Sequence, residues 1–120
     1  MVNLNLENYF VEENKNYNVF YVSGKKLDAH VSIDFEKRVK NYFNNNPNLF
    51  KNESCIDLKD LGDIDLSGDC ALLRLQKFFL INNSCLYLIT KKNSRVEKKL
   101  EDFAGYLFSK VHNLKEINSS

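Results

Sequence analysis

Tryptophan is absent from this chain, proline and methionine occur once each, glycine four times and cysteine three times. The cysteines, Cys55, Cys70 and Cys85, are odd in number and share no Cys-x-x-Cys spacing. Neither a zinc site nor a disulfide framework fits that pattern, and they read as three reduced, buried thiols. Long apolar runs are missing as well. The longest clusters, 71–75 and 78–81, are interrupted by Arg74, Gln76 and Lys77 and fall short of the ~20 residues a membrane span needs. No direct membrane insertion is therefore expected. The first residues, Met1 to Glu7, lack a basic stretch followed by an apolar one, so no secretory signal is read there. Charge of one sign is missing too: 17 Lys+Arg face 16 Asp+Glu, a formal net charge of +1. That balance lacks the basic footprint of a nucleic-acid binder, and nucleic acid is not an expected partner.

What is there is 120 residues, 43% of them hydrophobic, which fits one domain over 1–120 with a single core. A chain of this size buries roughly two-thirds of its unfolded surface and needs no staples to fold. The abundance of Asn and Lys is read as nucleotide bias in an A+T-rich genome, not as chemistry.

Hydrophobic periodicity sets out the elements. Val2, Leu4 and Leu6 alternate with Asn3, Asn5 and Glu7, the pattern of a half-buried strand running to Glu12 with a bulge near Tyr9-Phe10-Val11. The polar turn Glu13-Asn14-Lys15-Asn16 leads into a second strand over 17–23, closed by Gly24, so the pair reads as an antiparallel hairpin. Val31, Phe35, Val39 and Phe43 then form a helical stripe, with Ser32 expected as its N-cap and Pro47 behind its end. A short buried strand is expected over 54–58, a second helix over 68–81, and a strand covered on both faces over 85–89. Ser94 and Glu97 form a capping box for a third helix, whose stripe is Val96, Leu100, Phe103 and Leu107. Gly105 ends it, a last short strand fits 108–112, and residues 113–120 are expected to be a short or frayed tail. The order β-β-α-β-α-β-α-(β) predicts an α/β domain with one mixed β-sheet and packed α-helices.

Chemistry concentrates in one stretch, 57–69, where Asp57, Asp60, Asp63, Asp65 and Asp69 crowd the connection between a strand's carboxyl end and a helix. Open α/β sheets place function there. Three readings compete. Asp63, Asp65, Ser67, Gly68 and Asp69 fit the first half of a calcium loop, but Arg74 stands where a bidentate Glu is required. Asp63-Ile64-Asp65-Leu66-Ser67 approximates the DxDx(T/V) of Asp-nucleophile phosphotransferases, without the strand that should precede it. The third reading makes Ser67 a regulated phosphoacceptor at the start of the second helix, with Gly68 allowing close approach of a partner's backbone. Against all three stands Ser67 as a plain N-cap. His30 and His112 have no paired nucleophile in the sequence, and Lys91, Lys92, Arg95, Lys98 and Lys99 read as a solvated basic face.

The segments Ser23-Gly24, Leu27-Asp28-Ala29, Ile56-Asp57-Leu58, Asp65-Leu66-Ser67-Gly68, Ala71-Leu72-Leu73-Arg74-Leu75 and Val96…Leu100…Gly105, in this order over 2–112, resemble a STAS domain of the anti-sigma factor antagonist type. The resemblance implies a STAS-like fold and a non-enzymatic regulatory module of the bacterial cytoplasm, acting in transcription regulation. It implies Ser67 as phosphoacceptor, with Asp57, Asp63, Asp65, Leu66, Gly68 and Asp69 facing the partner. That partner would be an anti-sigma factor that is also a serine protein kinase, opposed by a cognate phosphatase. No catalytic residue, metal or cofactor is expected. The chain departs from the family's motif at Leu66, where a Ser is usual, and at Asp69, where a Leu is usual, and its last helix is cut to 114–117. Some STAS proteins are small cytoplasmic subunits of ABC-type lipid transporters, bound to permease and ATPase, and a divergent motif suits that role as well.

Overall fold

The structure is a computed structural model in which residues 3–11 and 15–118 are described. Strand β1 (Asn3–Val11) pairs antiparallel with β2 (Lys15–Ser23). Their register runs from Asn3↔Ser23 to Val11↔Lys15 without a break, so the expected bulge near Tyr9-Phe10-Val11 is absent. Lys15 and Asn16, expected in the turn, already belong to β2, while Glu12, Glu13 and Asn14 lie outside the described residues, as does Val2.

Three parallel strands follow: β3 (Glu53–Asp57) beside β2, β4 (Leu86–Ile89) beside β3, and β5 (Ser109–Val111) beside β4. The sheet therefore has the order β1-β2-β3-β4-β5. Each parallel pair needs a crossover, and helices supply them: α1 (Ala29–Asn45), α2 (Leu66–Ile81) and α3 (Arg95–Ala104). A 3₁₀ turn over Pro47–Lys51 follows α1, because Pro47 cannot extend the α-helical hydrogen bonding and suits a new first turn.

Alternation along the strands divides the core in two. Phe20, Val22, Ile56, Leu86 and Leu88 face the helices and pack on the stripes of α1, α2 and α3. Phe43 sits at the centre of that layer, edge-on to Phe79 at 4.7 Å and tilted against Phe50 at 5.0 Å. On the opposite face Tyr17, Val19, Cys55 and Ile89 meet Ile117 from the short helix α4 (Lys115–Asn118). Both faces of β4 are thus covered, as its unbroken apolar run requires. Ile117 is only 3% exposed, so the expected fraying of 113–120 does not reach it; Ser119 and Ser120 lie outside the described residues.

Several expectations are corrected at side-chain level. Asp28, not Ser32, caps α1: its Oδ1 accepts the backbone N–H of His30 at 3.0 Å and of Val31 at 3.3 Å. Ser32 is buried in the first turn and its hydroxyl donates back to the Asp28 carbonyl. Of the three thiols only Cys55 is fully buried, and burial pushes its pKa far up; Cys70 and Cys85 are half-exposed.

The capping box of α3 does form, and it does more than cap. Ser94 Oγ accepts the Glu97 N–H at 3.2 Å, and the Glu97 carboxylate reaches past it to the Asn93 N–H at 3.0 Å. The same carboxylate accepts the Thr90 hydroxyl at 2.7 Å and contacts His112 Nε2 at 2.7 Å. One buried acid therefore ties the end of β4, the start of α3 and the segment after β5. Burial would raise the Glu97 pKa, but these partners outweigh it and hold the carboxyl below its ordinary value. A depressed pKa contributes stability above the unfolded value that is lost as pH falls through the folded one. Glu97→Gln is expected to cost about 1–2 kcal/mol at pH 7. Urea titrations should show that deficit shrinking below pH 4.5, the ordinary value of the group.

Candidate functional site

The aspartate-rich connection from β3 to α2 is a braced segment rather than a loose loop. Leu58, Leu61 and Ile64 are buried in the main core at intervals of three residues, and they turn the polar residues between them outward. The Leu58 N–H donates to the Ile89 carbonyl at 2.8 Å. From there the chain runs beside residues 24–27 as a short parallel ribbon, with bridges Gly24↔Leu61 and Leu27↔Ile64. Its rungs are Gly62 N–H to Gly24 O at 2.9 Å, Leu27 N–H to Asp63 O at 3.0 Å and Asp65 N–H to Leu27 O at 3.2 Å.

That ribbon delivers Asp65 to the start of α2, where its Oδ1 accepts the Gly68 N–H at 3.1 Å. Asp65 is the N-cap, so Ser67 is not: it is the second residue of the helix, which begins two residues earlier than its apolar stripe suggested. Gly68 also has a different task from the one expected. It is buried, and a Cβ there would lie 2.6 Å from the Leu27 carbonyl oxygen and 2.6 Å from Ile64 Cγ1. The backbone that approaches Gly68 is the chain's own.

The carboxylates have unlike surroundings. Asp63 Oδ1 meets Lys99 Nζ at 2.7 Å and its Oδ2 lies 3.8 Å from Arg95, so the acidic segment and the basic start of α3 are joined. The Lys99 hydrogen bond leads in holding Asp63 below the usual carboxylate range. Two of the cations expected on a solvated face are thereby engaged, while Lys91, Lys92 and Lys98 stay exposed. Asp69 is different. It is 5% exposed, and its Oδ1 is buried without a hydrogen-bond partner among the described residues. Burial pushes its pKa up to about 6, against the pull of Lys99 and with Asp65 and Asp63 adding to the rise. Asp57 stands apart from all of these. Its Oδ1 accepts the Lys59 N–H at 2.9 Å, and it lines a depression on the α4 side of the sheet with Val19, Tyr21 and Ile89.

So Asp63, Asp65, Leu66, Ser67, Gly68 and Asp69 gather at the start of α2, and Asp57 does not join them. Ser67 is half-exposed in a groove of about 330 Å³ between α1 and α2, with Ala29, Cys70 and Arg74 in its walls. Two large apolar side chains flank it in the open: Leu66, 65% exposed, and Ile33, 71% exposed. Ile33 was missed in the sequence, although its place off the Val31–Phe35–Val39 stripe of α1 was a readable signal. The calcium and Asp-nucleophile readings fail on donors: Asp63 is neutralised by Lys99, Asp65 is spent on its helix, and no group of metal-type ligands forms among the described residues.

No family model and no curated relative matches the chain. Solved structures do. An anti-sigma factor antagonist from Mycobacterium paratuberculosis superposes with a TM-score of 0.70 at 13% identity, covering 99% of this chain and 92% of that one. The anti-sigma factor antagonist SpoIIAA in its unphosphorylated form gives 0.65 at 14%, covering 98% and 94%. An uncharacterized protein with a SpoIIAA-like fold from Shewanella loihica PV-4 gives 0.60 at 10%, covering 99% and 93%. The fold is that of these proteins, a STAS-like domain.

Two outcomes follow from the local geometry. Gly68→Ala should cost about 2 kcal/mol or more, since a carbonyl and a core isoleucine must both move. Gly105→Ala, whose methyl meets Glu101 Cβ at 3.4 Å, should change little, and thermal melts of both variants beside the parent would show the difference. Asp69 holds its proton up to about pH 6, whereas its ordinary value is 3.8, so the folded state binds more protons between them and stability falls as pH rises through that window. Asp69→Asn removes this slope and should be more stable than the parent at pH 7, by on the order of 1–2 kcal/mol. Urea midpoints from pH 4 to pH 7.5 would show it.

Proposed function

We propose that this chain is a non-enzymatic regulatory module of the cytoplasm that binds a protein partner through the groove at Ser67 and is released by phosphorylation there. The observation that carries the reading is Ser67 itself: a half-exposed hydroxyl in the first turn of a helix, on a braced rim, between the exposed side chains of Ile33 and Leu66. Exposed Leu and Ile beside a groove are the kind of surface a partner desolvates. A phosphate on Ser67 adds about −1.5 to −2 charges and three strong acceptors. The α2 dipole favours that charge, whereas Asp65 and Asp69 repel it. Its main effect is therefore on docking: a dianion cannot be buried between two apolar side chains without a cationic partner, and the one cation lining the groove, Arg74, is already held by Glu36 at 2.7 Å. The partner class is an anti-sigma factor with serine kinase activity, restored to binding by a phosphatase. Support comes from the fold shared with anti-sigma factor antagonists, one of them described in an unphosphorylated form.

One observation favours a second reading. Leu66 projects into solvent where the resembled motif has a Ser, which suits a permanent apolar contact in a transporter assembly, as in the small STAS subunits of ABC-type lipid transporters. Incubation with ATP and a serine kinase of the anti-sigma factor class, followed by mass spectrometry, should place one phosphate on Ser67 and none on Ser67→Ala. Ser67→Asp should bind that kinase at least 10-fold more weakly than the parent. No phosphate on Ser67, or unchanged binding by Ser67→Asp, overturns the switch. Co-purification with a permease and ATPase that Ser67→Asp does not disturb establishes the second reading instead.

A further inference from the structure

A second depression, of about 430 Å³, lies on the other side of Leu66, between the first turn of α2 and α3. We propose that it receives the arginine side chain of a docking protein. Three carboxylates line it, Asp65, Asp69 and Asp102, against one cation, Lys99. That cation is already engaged, by Asp63 Oδ1 at 2.7 Å and by the Ile64 carbonyl at 3.1 Å. The depression therefore holds an excess of negative charge, and the least compensated part is Asp69, nineteen-twentieths buried with an oxygen, Oδ1, that has no hydrogen-bond partner among the described residues.

A buried acceptor without a partner costs free energy, and the cost is recovered when a donor arrives from outside. The donor must be cationic, because Asp69 is ionised at neutral pH, its value lying at about 6. It must also be organic, since these acids do not converge in the way a metal ion requires among the described residues. A guanidinium fits both demands: its planar fork bonds two carboxylates at once, and its alkyl stem can lie along Leu66 and Phe103, which form the apolar wall. Leu66 lines this depression and the Ser67 groove alike. One partner seated over Leu66 thus reaches both.

The assignment of a protein as occupant rests on the docking surface proposed for Ser67, but its test needs neither kinase nor partner. The ¹⁵N-labelled chain is titrated at pH 7.5 with Nα-acetyl-arginine amide and, in parallel, with its neutral citrulline counterpart. Saturable shifts are expected at the amides of Asp65, Leu66, Asp69 and Asp102, with dissociation constants on the order of millimolar. Citrulline should bind at least five-fold more weakly, and Asp69→Asn should weaken arginine binding at least three-fold. Asp102→Asn, on the exposed face of α3, is the second variant, with the same expected loss. Absent saturation, equal binding of citrulline, or a variant that binds arginine as the parent does overturns the pocket. A chain that binds arginine here yet is never phosphorylated on Ser67 keeps the pocket and loses the switch, and the converse result separates them the other way.

Discussion

The start of α2 is where it is because Gly68 lets a helix turn press against the Leu27 carbonyl. Any Cβ at that position would sit 2.6 Å from that oxygen, well inside contact distance. With the glycine in place, the connection between β2 and α1 and the connection between β3 and α2 can run side by side as a ribbon. The ribbon aligns Asp65 with the Gly68 N–H, and that hydrogen bond sets the first turn. Ser67 and Leu66 face outward as a consequence. Their exposure is imposed by packing beneath them, not by looseness of the segment.

Electrostatics completes the arrangement and leaves one element unfinished. The near-zero net charge is an average over an acidic stretch and a basic one, and the fold brings these together through Asp63, Lys99 and Arg95. An ion pair with this much exposure adds little to stability, on the order of 0–1 kcal/mol, so its role is chiefly one of position. It fixes α3 against the ribbon and consumes the cation nearest to Asp69. The acid left over is the one whose burial is least compensated. Glu97, in α3, shows the contrast: about as buried, it has three partners and a depressed pKa.

The element order, the hairpin, the two-sided burial of β4 and the capping box at Ser94 were all legible, because each rests on local periodicity or on a cap within three residues. What was illegible depended on contacts remote in sequence. Ser32 and Asp28 are both good caps by residue type, and only the path of the preceding ribbon selects Asp28. The start of α2 was displaced for the same reason: Asp65 and Ser67 compete, and the hydrogen bond from Asp65 N–H to Leu27 O decides. Leu58, Leu61 and Ile64 keep a spacing of three that a helix would also give, and only the pairing with residues 24–27 makes the segment a ribbon. Asp57 is near the other acids in sequence, and that nearness alone groups it with them. The parity of β3 sends its side chain to the opposite face.

Local rules of folding are broken at several places on this chain, and the breaks differ in kind. Leu80 and Ile81 are exposed at the far end of α2, as is Tyr106 after α3, and isolated apolar exposure of that sort is ordinary. At the near end of α2 exceptions of three types come together: exposed Leu66 and Ile33, a half-buried hydroxyl at Ser67, and a buried Asp69 oxygen without a hydrogen-bond partner among the described residues. Each is unfavourable or unused in the isolated chain. A partner that covers Leu66 and offers a cation would offset two of them together, while a phosphate at Ser67 would oppose both contacts. On the function proposed above, such a surface gains from being occupied and is vacated on phosphorylation, which is the physical requirement of a switch.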